Sequence, residues 1–134
     1  MSKKTNQKGR SDKGPPFNQL FHFVIDSAAY RSLSPLSQAL LTHVLRRYNG
    51  ENNGALGLGH REAATLCNVN KDTIKRAFDE LQTKGFISAS RKGGFNMKDP
   101  TTRRASEWRL TWKPAQWIGL GATFDFKQWK QDDI

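Results

Sequence analysis

The chain has 134 residues, enough for one domain with a core of its own and too few for two ordinary ones. Its 22 lysines and arginines against 12 acids give a formal charge of +10 and a pI near 10.1, with 36% hydrophobic residues and a negative mean hydropathy. No stretch approaches the roughly 20 apolar residues of a membrane-spanning helix, and a pI above about 9 is the usual electrostatic footprint of a nucleic-acid binder.

Residues 1–16 carry Lys3, Lys4, Lys8, Arg10 and Lys13 against Asp12, with Gly, Ser, Asn and Pro between them. Such a segment buries too little apolar surface to offset its ordering entropy, so the sequence predicts a disordered basic arm. It has no apolar run behind its charges and does not read as a signal peptide. Leu20–Ile25 is aromatic and β-branched and predicts a short strand or extended lead-in, with Asp26 capping a helical turn through Tyr30.

Ser34-Pro35 predicts a helix start, and Leu36, Leu40, Leu41, Val44, Leu45 and Tyr48 form one apolar stripe ended by Asn49-Gly50. Ala55–Leu58 is a candidate short strand. A second helix is expected from Gly59 or His60 to about Cys67, burying Ala63, Ala64 and Leu66. After the turn Asn68-Val69-Asn70, a third helix is expected from its cap Asn70 to about Lys84, with Ile74, Ala77, Phe78 and Leu81 inside. Gly85 closes it. Phe86–Ser90 and Glu107–Trp112 alternate as strands on either side of a Gly-rich, basic loop. Trp108 and Trp112 share a strand face with Leu110 and are expected in the core.

The order helix, short strand, helix, tight turn, helix, strand, long loop, strand is the plan of an α+β winged helix-turn-helix, a three-helix core plus a two- to three-stranded β wing. The run Arg61–Leu81 resembles the helix-turn-helix core of bacterial winged-helix DNA-binding proteins, and Lys84-Gly85-Phe86-Ile87 is similar to their exit into the wing. The wider pattern adds Tyr30-Arg31, Leu33-Ser34, Tyr48-Asn49-Gly50, Asn52-Asn53-Gly54 and Glu107–Thr111. It resembles helix-turn-helix proteins encoded by plasmids, phages and integrated elements, and the winged-helix N-terminal part of some plasmid replication initiators. The resemblance covers roughly residues 20–113 and implies a DNA-binding domain over 17–113. Residues 114–134 then form an aromatic extension that packs on the domain or on a partner.

A helix that reads DNA buries one face and offers hydrogen-bond donors from the other. Asn70, Lys71, Thr73, Lys75 and Arg76 are the candidates here, since Lys or Arg suits guanine, Asn suits adenine, and a helix N-terminus holds phosphate. Asp79 and Glu80, one turn on, would repel phosphate and end the contact near Arg76. Arg91, Lys92, Lys98, Arg103 and Arg104 in or beside the loop are candidates for phosphate or minor-groove contact. Lys3, Lys4, Lys8 and Arg10 of the arm are weaker candidates.

Catalysis is not expected. Cys67 is a lone thiol in a packing position, and Gly57-x-Gly59 is too short for a phosphate loop. His22, His43 and His60 lie too far apart for a zinc site, so no metal or cofactor is expected. One cysteine fits a reducing cytoplasm, and the DNA-binding reading implies a nucleoid-associated protein there. The expected partner is double-stranded DNA, bound by a homodimer because two half-sites raise specificity. Transcriptional regulation of a bacterial or mobile-element locus is the leading role, with replication initiation at a plasmid or phage origin as its rival. The aromatic extension keeps open a third reading, a winged-helix protein-interaction module.

Overall fold

A computed structural model describes residues 14–91, 94–96, 99–104 and 106–131, with the stretch 91–104 described through its backbone alone. The arm candidates Lys3, Lys4, Lys8 and Arg10, and Lys92 and Lys98 of the loop, lie outside the described residues. The rest is α+β, with five α-helices and a three-stranded antiparallel sheet among the described residues. The layout is compatible with a winged helix.

The first element corrects the sequence reading. Leu20–Ile25 does not form a strand; His22–Ile25 is a helical turn, α1. Its aromatic residues find ring partners in place of a strand partner. Phe21 stacks on Phe23 at 5.4 Å, and Phe23 stacks on Phe126 at 6.3 Å, while Val24 is fully buried. Asp26 does not cap the next helix, α2 (Ala28–Ser32), but ends α1. Ser27 is the cap, its hydroxyl accepting the Tyr30 N–H at 3.1 Å.

Helix α3 (Pro35–Arg46) starts as Ser34-Pro35 predicts, with Ser34 Oγ accepting the Ser37 N–H at 3.1 Å. It stops three residues before Asn49, and Leu40, Leu41, Val44 and Leu45 form its buried stripe. Strand β1 (Leu56–Gly57) leads to α4 (His60–Cys67) and α5 (Lys71–Thr83). Ile74, Ala77, Phe78 and Leu81 are all buried, and each large side chain among them contributes about 1.5–3 kcal/mol by leaving water. On α4, Ala63 and Ala64 are buried as expected, but Leu66 is 44% exposed. At 100° per residue, Ala63, Ala64 and Cys67 fall within one arc, and Leu66 points more than a right angle from its centre.

The sheet orders its strands β1-β5-β2, with β2 at Ile87–Arg91 and β5 at Glu107–Leu110. Both strands are one residue or more out of step with the expected bounds. Trp108 pairs with Leu56 on one side and Ala89 on the other, and its ring stacks on Phe78 of α5 at 5.0 Å. Its Nε1 donates to Leu58 O at 3.0 Å, which satisfies the one polar atom of that ring. Trp108 and Trp112 are core residues, each 3% exposed. The register slips between Ala89 and Arg91, so Ser90 forms a bulge whose hydroxyl donates to Gly54 O. Beyond the bulge the expected loop is in part a second antiparallel pair, β3 (Gly94–Asn96) with β4 (Asp99–Arg104).

The C-terminal chain folds back over the core. Thr111 O accepts the N–H groups of Thr123 and Phe124, both at 2.9 Å, which places Phe126 face to face with Phe86 at 5.2 Å. Phe126 is 1% exposed. Gly85 makes this approach possible. Its φ of +86° ends α5 in a left-handed turn, and a Cβ there would stand 2.6 Å from the backbone of Asp125 and Phe126.

Candidate nucleic-acid interface

Helices α4 and α5 meet at a turn fixed by its own hydrogen bonds. Asn68 takes φ 58°, ψ 48°, a left-handed conformation that asparagine tolerates better than most residues. It lets Asn68 N–H reach Thr65 O at 3.2 Å and Val69 N–H reach Ala64 O at 3.0 Å, closing α4. Two residues later Asn70 Oδ1 accepts the Thr73 N–H at 2.7 Å and opens α5. At its far end, Gly85 N–H to Gln82 O (3.1 Å) and Phe86 N–H to Leu81 O (2.9 Å) make a Schellman closure. Both ends of α5 are therefore pinned, and its buried face fixes its rotation.

That rotation decides what the outer face offers. Lys71, Lys75 and Arg76 are exposed and Thr73 is half-buried, so the predicted set comes together on one helix side. Asn70 is exposed too, but its side-chain Oδ1 is already engaged as the helix cap, which leaves Nδ2 as its side-chain donor. Lys75 sits 3.7 Å from Asp79, a solvent-exposed pair worth at most about 1 kcal/mol. Arg76 has no ion pair among the described residues.

Glu80 departs from the sequence reading. It does not stand beside Asp79 on the outer face but reaches the N-terminus of α3. There its Oε1 accepts the Ser34 N–H at 3.3 Å, the Ser34 hydroxyl at 3.1 Å and the Ser37 hydroxyl. Lys84 pairs with the other oxygen at 2.8 Å and donates to Ser32 O at 3.1 Å. Burial pushes the Glu80 carboxyl up, but the hydrogen bonds from Lys84, Ser37 and Ser34 outweigh it and hold the group below the ordinary glutamate value. The carboxylate that would oppose phosphate is thus spent on fastening α5 to α3.

A groove at the α4–α5 crossing adds residues that the sequence reading missed. Arg61, Thr65 and Asn68 line it together with Asn70 and Lys71. Arg61 and Thr65 are one helical turn apart and both exposed, a signal available from their spacing alone. Burial beside the Phe78 ring lowers the His60 pKa and so disfavours its charged form. Burial also raises the Cys67 thiol, away from the thiolate a nucleophile needs. Among the described residues no group of three His, Cys, Asp or Glu could hold a metal ion, and no helix is long and apolar enough to cross a membrane.

No family model, curated protein or solved structure matches this chain. The argument from the site itself therefore carries the functional reading. Of the loop candidates, Arg91 ends β2 opposite Glu107, while Arg103 and Arg104 lie on β4 with Arg104 opposite Gly94. The base of this hairpin is tied to α5 through the Trp108–Phe78 stack. A helix with lysines and an arginine on its outer face and a hairpin bearing Arg103 and Arg104 can dock an extended polyanion through hydrogen bonds and charge.

Proposed function

We propose that the chain is a winged helix-turn-helix protein that binds double-stranded DNA, with α5 in the major groove. The hairpin β3–β4 acts as the wing, lying along phosphates or in the minor groove, and the arm 1–16 adds charge contacts. Supporting this reading are the chain's charge of +10, the Schellman-closed α4 and α5, and the lining of their crossing by Arg61, Asn70 and Lys71. The observation that carries it is α5, whose inner face is buried while Lys71, Lys75 and Arg76 stand outside, outnumbering the exposed acids Asp72 and Asp79 among them.

Transcriptional control of a bacterial or mobile-element locus is the role we favour, with origin binding in replication as its rival and no catalytic step assigned. The interaction-module reading draws on a separate feature, the exposed indole of Trp117.

Selection from a randomised duplex library at near-physiological salt, followed by sequencing of the bound pool, tests the proposal. An enriched motif is the expected result. An inverted repeat favours a regulator, and tandem direct repeats favour origin binding. Retention without enrichment, lost as salt rises, would leave non-specific binding only and overturn the sequence-reading role of α5.

A further inference from the structure

The aromatic extension splits into two parts. Phe124, Phe126 and Trp129 pack against the core, whereas Trp117, Ile118 and Leu120 face solvent at 57%, 43% and 38% exposure. The outward group is held firmly. Trp117 Nε1 donates to Asn53 O at 2.7 Å, and the buried Asn53 is itself anchored, its Nδ2 donating to Leu110 O and Lys113 O, both at 2.9 Å. Ala115 and Leu120 exchange two backbone hydrogen bonds of 2.7 and 3.2 Å, which close the 3₁₀ turn Gln116–Ile118. Trp117 and Ile118 lie over Gly54 so closely that a Cβ there would meet them at 3.4 and 3.2 Å. An indole locked in one orientation with over half its surface in water is preorganised for contact, and tryptophan is enriched where interfaces draw their energy.

Charge selects the occupant. Residues 114–124 are eleven positions with no charged side chain in a chain of +10. Other exposed apolar groups are differently placed, since Phe23 lies under the Lys127 ammonium at 5.5 Å and Leu66 shares a groove with Arg46 and Arg47. The segment 117–120 itself offers no cation to nucleic acid or an acidic protein. The cations at the far end of this stretch are engaged, Arg109 buried and donating to Thr123 at 3.2 Å and Lys127 lying over the Phe124 ring at 4.6 Å. A second copy, repelled elsewhere by its own positive charge, meets its like most easily where charge is absent.

We propose that Trp117, Ile118 and Leu120 form the centre of a two-fold homodimer contact, the patch of one copy packing on the same patch of the other. The inference does not rest on DNA binding. Sedimentation equilibrium of the full chain without DNA, up to about 100 micromolar, populates any dimer with a dissociation constant in the micromolar range. The expected result is a dimer that Trp117→Lys and Leu120→Lys each weaken at least about tenfold. Leu120 serves the turn through its backbone, so Leu120→Lys keeps the test sound even where loss of the Trp117–Asn53 bond disturbs the fold; circular dichroism separates the two cases. A monomer at every concentration overturns the proposal and leaves the patch to a partner of other sequence. A dimer that Leu120→Lys leaves intact, in a chain of unchanged circular dichroism, overturns it equally and places the contact elsewhere. Neither outcome depends on whether the library selection finds a DNA motif.

Discussion

Arg76 and Lys75 are neighbours in sequence and differ in what holds them. Lys75 shares its charge with Asp79 at 3.7 Å, whereas Arg76, one turn from the exposed Asp72, forms no ion pair among the described residues. A planar guanidinium with its fork free is the group best shaped for the two acceptors of guanine. Arg76→Ala should therefore cost about 1–3 kcal/mol on a cognate duplex and much less on random sequence, as read by competition binding at fixed salt. Equal losses on both duplexes would make Arg76 a phosphate contact. At this scale the sequence was legible where one helix period decides the matter: the outward set on α5 follows from its buried stripe. It was not legible for Asn70 and Glu80. Both roles depend on which atom of a polar side chain is already engaged, Asn70 Oδ1 by its own helix and Glu80 by a helix 43 residues away.

Among elements, the fastening of α5 to α3 sets the orientation of the outer face. It runs through one ionised group, and its pH dependence has a definite sign. The folded state holds Glu80 below its ordinary value, so the unfolded chain takes up the proton first as pH falls. The stabilisation is complete above the ordinary glutamate pKa and fades as pH drops through the depressed one. Glu80→Gln keeps the shape and removes the charge. It should lower stability by about 1–3 kcal/mol near neutral pH, with the gap to the parent chain closing as pH falls below the ordinary glutamate range in denaturant titrations. A gap of constant size across that range would mean that the charge does not carry the contact. The helices α3 and α5 were readable because a cap and a repeating apolar stripe coincide in each, whereas α4, with no side-chain cap at Gly59, was read with Leu66 on the wrong face. The turn α1 was not, since its β-branched and aromatic composition argues for a strand until Phe126, far along the chain, supplies the ring that Phe23 stacks on.

For the whole molecule, the apolar closure follows β5 in the chain and the Arg-bearing hairpin precedes it. The C-terminal return seals the core through Phe86, Phe126 and Trp112, with rings at 5.2 and 6.1 Å, and leaves residues 114–124 neutral. The opposite end of β5 leads into the hairpin, where Arg103 and Arg104 follow one another on β4. Within that stretch the sequence showed composition but not pairing, because a Gly-rich run with Pro100 reads as a loop while its strand partners are set by the register beyond the Ser90 bulge. Charge placed on such a hairpin acts on any duplex, since phosphates carry no sequence. Neutralising two phosphates releases two sets of counterions, so replacing Arg103 and Arg104 together by Ala should make the slope of log affinity against log salt shallower by about 1.8. Cognate and random duplexes should weaken alike, in contrast to Arg76→Ala. An unchanged slope would remove the hairpin from the backbone contact and leave α5 with the arm to supply it.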